Sequence, residues 1–218
     1  MKKLIIPVLI LGMIFSLAGC GNKDNNTNNK DTKKEVQQET NEEKAQKTEI
    51  ENTINKFFSD VKDCNINGAE SYLVDNDYKD IDKLHYASLT DGEKKAVRYW
   101  NEKINYKINS VTLTNKSAEV IMDISSIDSD KVYSNYMNNL LTLKMKILST
   151  KDEEIKKKYN EQYNEALINS IKNKDNKMIK STVTLGMENK DGKWYIIGNN
   201  DLLSALYGGF DFQKFQLK

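Results

Sequence analysis

Apolar and polar residues follow three regimes along this chain. From Leu4 to Leu17 nearly every residue is apolar (LIIPVLILGMIFSL), directly after Lys2 and Lys3. From Gly21 to Thr48 the only aliphatic residue beyond alanine is Val36, and no aromatic occurs. From Glu49 onward apolar residues return at regular spacings, which predict the elements of a folded domain.

Ile50, Ile54, Phe57, Phe58 and Val61 fall on one face of a helix. Thr48-x-x-Glu51 supplies its capping box. Asn65 to Gly68 breaks that helix, and Ala69 to Val74 makes a second, short one. Thr90-Asp91-Gly92-Glu93 repeats the box and opens a helix through Ala96, Val97 and Trp100. Two strands of a hairpin follow, INYKINSVTL (104–113) and AEVIMDI (118–124), around the turn 114–117. The second alternates, with Ala118, Val120, Met122 and Ile124 on one side and Glu119 and Asp123 on the other. The first changes phase near Asn109-Ser110, which either a bulge or a different strand boundary explains.

Residues 129–173 read as an antiparallel pair of long helices. Val132, Tyr133, Tyr136, Met137, Leu140, Leu141, Ile147 and Leu148 line the first. Thr150-x-x-Glu153 caps the second, lined by Ile155, Tyr159, Tyr163, Ala166, Leu167 and Ile171. One apolar stripe on each predicts that the pair packs on something. A second hairpin joins Met178–Met187 to Lys193–Gly198 through Asp191-Gly192. Asn199 or Asn200 caps a helix over Asp201–Tyr207, which Gly208-Gly209 ends. The tail keeps Phe210, Phe212, Phe215 and Leu217, a cluster expected to dock on the domain or on a partner.

Charge and composition refine this picture. Two lysines, an apolar run and small residues before Cys20 form a secretory signal over residues 1–19. The run is shorter than the roughly 20 residues that a spanning helix needs. Residues 20–48 are too polar to fold alone and read as a tether spanning about 30 Å as a flexible coil. Residues 49–218 are read as a single α+β domain. Lys2 and Lys3 belong to the signal, so the remaining basic side chains nearly balance the 32 acidic ones. Without a basic excess or stripe, nucleic acid is not an expected partner.

The sole histidine, His85, is expected on the surface or in a loop. No His-x-x-x-His, cysteine pair or EF-hand spacing occurs, so no metal centre is expected. No phosphate-binding or dinucleotide fingerprint occurs, so no cofactor is expected.

Leu17-Ala18-Gly19-Cys20 resembles the bacterial lipobox. That resemblance implies cleavage after Gly19, diacylglycerol on the Cys20 sulfur and a lipid-anchored protein at the outer face of the cell membrane. Cys20 then drops out of any disulfide, leaving Cys64 as a small, partly buried hydrophobe.

Helix, short helix, helix, curved hairpin, then a hairpin ending in DGKWYIIG and a short helix, resembles the NTF2-like fold of Gram-positive surface lipoproteins. Ile54, Phe57 and Phe58, Gly68-Ala69 with Leu73, and Asp191-Gly192-Lys193-Trp194 carry the likeness, over roughly 49–128 and 177–207. It implies a cone of N-terminal helices on a curved antiparallel sheet, with 129–173 inserted as a helical hairpin. Trp100, Tyr106 and Trp194 would then line the cone, core packing being the plainer role of such aromatics. The expected function is a non-catalytic binding or interaction module for a small ligand, peptide or envelope protein. The alternative is a metal-independent secreted enzyme of the NTF2-like class using Asp and Tyr side chains, for which no catalytic residue carries over.

Overall fold

A computed structural model describes residues 40–74 and 89–210. Helix α1 (Asn41–Lys62) is capped by Thr40, eight residues before the predicted cap Thr48. Thr40 Oγ1 accepts the Glu43 N–H at 3.1 Å, and Glu43 Oε2 accepts the Thr40 N–H at 2.8 Å. Thr48 instead sits inside the helix, its hydroxyl donating to the Lys44 carbonyl at 2.9 Å. Helix α1 therefore starts inside the segment expected to be tether, taking residues 41–48 into its first turns. Thr40-x-x-Glu43 carries the same box pattern, and glutamates in the first turn favour the positive helix end. Those turns are solvated all round, so apolar periodicity cannot find them.

Ile50, Ile54, Phe57 and Phe58 of α1 are completely buried. Burying each side chain stabilises the fold by about 2 kcal/mol. Asn65 caps α2 (Ile66–Glu70), so the expected helix-breaking residues become its cap and first turn. The chain beyond α2 does not continue as helix. Tyr72–Val74 runs parallel to the last strand, with Ile196 N–H donating to Tyr72 O and Val74 N–H to Ile196 O, both at 2.8 Å. Helix α3 (Asp91–Glu102) starts from the predicted Thr90–Glu93 box and buries Ala96, Val97 and Trp100.

Four antiparallel strands form an open sheet in chain order: β1 (Asn105–Thr114), β2 (Ser117–Ile127), β3 (Met178–Lys190) and β4 (Lys193–Ile197). The register of β1 on β2 shifts between Ile108 and Ser110. That bulge keeps Tyr106, Ile108, Val111 and Leu113 opposite Ile124, Met122, Val120 and Ala118, all toward the core. Asp191 (φ 53°) and Gly192 (φ 81°) form the β3–β4 turn, both in the left-handed region that a two-residue hairpin loop requires.

Between β2 and β3 lie α4 (Ser129–Ser149), α5 (Glu153–Asn164) and α6 (Ala166–Ile171). The predicted second helix is thus interrupted at Glu165. Its N-cap is Asp152, which accepts the Glu154 and Ile155 N–H groups at 2.9 and 3.1 Å. Thr150 accepts only the Asp152 N–H, at 3.3 Å. A carboxylate two residues nearer the helix displaces the threonine as cap. Helix α7 (Asn200–Leu206) is capped by Asn199 and followed by Gly208 and Gly209, both at positive φ.

The buried sheet face, α1, α3, α6 and α7 share one hydrophobic core, running from Ile50 to Tyr207. The described residues thus hold the Thr40 cap and one continuous core. Among the described residues no helix is long and apolar enough to cross a membrane.

Candidate functional site

The three aromatics expected to line a cone occupy two different environments. Trp100 is buried, and its indole N–H donates to the Leu206 carbonyl at 3.0 Å, tying α3 to α7. Trp194 is buried on β4, its indole N–H without an acceptor among the described residues. Both belong to the core. Tyr106 lies at its edge, stacked on Phe58 with ring centroids 4.0 Å apart and donating to Asn55 Oδ1 at 2.8 Å. Burial pushes its hydroxyl pKa upward.

Against the inner face of the sheet Phe57, Phe58, Met122, Leu185, Met187 and Ile196 are all fully buried among the described residues. A cavity of about 30 Å³ remains between α1, α2, α3 and α7, with Cys64, Glu70, Asn101 and Tyr207 in its wall. That space suits a water molecule, not an organic ligand. Cys64 is half-buried, receives the Asn101 amide at 3.6 Å and has φ 57°.

Asp123 and Tyr106, an aspartate and a tyrosine on neighbouring strands, lie on opposite faces of the sheet. Asp123 lies on the outer sheet face, whereas Tyr106, opposite Ile124, faces inward. Lys180 Nζ approaches Asp123 Oδ2 at 2.8 Å and Thr182 donates to Oδ1 at 2.7 Å. These bonds, with one from Asn109, hold the carboxyl at a pKa of about 2. A carboxylate so held is a structural anion and a poor proton acceptor at neutral pH. Two open grooves are lined by mixed charges, one of about 550 Å³ beside Tyr106 and one of about 400 Å³ between α3 and α6. Among the described residues no cluster of three metal-ligating side chains forms. Cys20, His85, Phe212, Phe215 and Leu217 lie outside the described residues.

The most distinctive surface lies on α4. Its predicted apolar stripe divides into two. Val132 and Tyr136 are buried and Leu140 and Leu143 pack against the core, making the inner face. Tyr133, Met137, Leu141, Met145 and Leu148 remain exposed, reaching 61 %, 63 % and 77 % exposure at the last three. Met137, Leu141 and Met145 recur every four residues, with Leu148 three further on, so they share one side of the helix. From Val132 to Leu143 (VYSNYMNNLLTL) no charged residue occurs, in a chain that is 30% charged. An exposed apolar row of this length is unusual on a helix that faces water. Sequence periodicity detects the apolar row but not that the helix has more apolar surface than the core covers.

No protein-family model, curated protein or solved structure matches this chain.

Proposed function

We propose that this protein is a lipid-anchored lipoprotein of the outer face of the cell membrane and acts as a non-catalytic interaction module. Leu17-Ala18-Gly19-Cys20, placed directly after two lysines and an apolar run, carries the reading. With α1 beginning at Asn41, the tether from Cys20 to Glu39 spans on the order of 25 Å as a coil. The exposed apolar row on α4 supports recognition by an outer surface. The NTF2-like cone is part of the same proposal. Its support is α1 packed on the buried sheet face, the bulge in β1 and the parallel bridge from Leu73 to Ile196.

The test is Cys20→Ala in a bacterial host. Expected is loss of labelled fatty-acid incorporation and release of the protein from the membrane fraction. Undiminished labelling and membrane recovery would overturn the anchor.

A further inference from the structure

The exposed row of α4 has a charge pattern that selects an occupant. Asp130 and Lys144 each stand seven residues from Met137, on opposite sides of it along the helix. Seven residues is close to two turns, so all three lie on the same face of α4. That face therefore reads acid, uncharged apolar row, base. A second α4 laid antiparallel across it, with the two-fold axis at Met137, sets Asp130 of each copy against Lys144 of the other. Tyr133 of each copy then lies opposite the other's Leu141. A parallel arrangement would place like charges together, a costly mismatch.

We infer that α4 is a self-association face, pairing antiparallel with α4 of a second copy of this chain through Met137, Leu141, Asp130 and Lys144. The inference rests on reading this face as an interaction surface and is independent of the anchor. The arrangement is isologous, so it closes at two copies. Overlap from residue 130 to 144 gives about 22 Å of helix pair. Met145 and Leu148 extend to the partner's end of α4, where Met178 is exposed opposite Ile127. A contact of this length is smaller than the about 1,200–2,000 Å² of stable interfaces, so dimerisation is weak and depends on concentration. A lipid surface fits less well. Interfacial helices are rich in Lys and Arg along their polar face, whereas α4 carries Lys131, Lys144 and Lys146 only toward its ends.

The experiment is sedimentation velocity on residues 21–218, which keep every described residue and the segment before α1, across a concentration series from about 1 μM to about 500 μM. A monomer–dimer equilibrium is expected. Met137→Lys places two ammonium groups at the axis and removes the dimer, while the dilute monomer stays folded because Met137 reaches solvent, at 37% exposure, and the lysine stem can follow its path outward. Asp130→Lys and Lys144→Asp each weaken the dimer about tenfold, and the double exchange restores it. A monomer at every concentration overturns the inference, as does a dimer that survives Met137→Lys or a double exchange that fails to restore. Two further results also overturn it by giving the face another occupant. One is dimerisation appearing only after residues 211–218 are deleted. The other is a monomer that binds phosphatidylglycerol vesicles and loses them with Met137→Lys.

Discussion

The Gly208 carbonyl accepts two hydrogen bonds from Ser129, one from the backbone N–H at 3.1 Å and one from the hydroxyl at 3.0 Å. Ser129 is the first residue of α4, and Gly208 follows the end of α7. Two helix ends more than seventy residues apart in sequence thus satisfy each other's backbone groups, which neither helix can satisfy internally. This joint sets where α4 leaves the core, and so where its exposed row begins.

Gly208 has φ 62°, and a Cβ there would run into the Ile127 carbonyl. The left-handed region alone costs a non-glycine residue about 1–2 kcal/mol, and the clash adds to that. Gly208→Ala should lower stability by at least about 2 kcal/mol. Urea unfolding of residues 21–218 measures it, and a midpoint unchanged from wild type would refute the joint.

The two tryptophans give a paired prediction. Trp100→Phe leaves the buried Leu206 carbonyl without its donor and should cost about 1–2 kcal/mol beyond lost packing. Trp194→Phe deletes an N–H that has no acceptor among the described residues, so the hydrogen-bond loss is absent. The Trp100 variant should be clearly the less stable of the two in chemical unfolding. Equal losses would contradict the assignment.

The start of α1 is decided by Thr40 rather than Thr48. A cap is worth about 1 kcal/mol, but the first turns of α1 are exposed and can fray without unfolding the core. The effect should therefore appear locally. Thr40→Ala should reduce hydrogen-exchange protection of amides 44–47 about fivefold, while Thr48→Ala leaves it nearly unchanged. The reverse order would return the cap to Thr48.

Asp123 makes stability depend on acid. Its folded pKa is about 2, below the unfolded value of about 3.9. The unfolded chain therefore binds more protons between these values. The contribution is fully present above about pH 4 and is lost as pH falls toward 2. Wild type should lose stability faster between pH 5 and pH 2.5 than Asp123→Asn, read from urea midpoints at the two values. Parallel pH profiles would show that the Lys180 and Thr182 bonds do not hold the carboxylate.

The local elements were largely legible because local rules set them. The Thr90–Glu93 box, the inward parity of Ala118, Val120, Met122 and Ile124, the phase change at Asn109 and the Gly208-Gly209 stop need only neighbouring residues. Thr40 and Thr48 show where such rules become degenerate: each opens a T-x-x-E box, and only the assembled helix selects between them. The same holds for Thr150 and Asp152, two usable caps in one short connection. Residues 72–74 were beyond local reasoning, since their parallel bridge to Ile196 joins positions far apart in sequence.

The sequence by itself determined the α+β class, the order and most of the elements, and the parity that turns Asp123 away from the apolar face. Those properties follow from helical and strand periods and from capping chemistry, which act within a few residues. Tertiary structure alone decided that Trp100 and Trp194 are buried in the core and that Tyr106 lies at its edge. It also decided that half of the apolar surface of α4 stays in the open. Burial is a property of what packs against a residue. A run of apolar side chains states the surface available for packing, and only the assembled fold states how much of it is used.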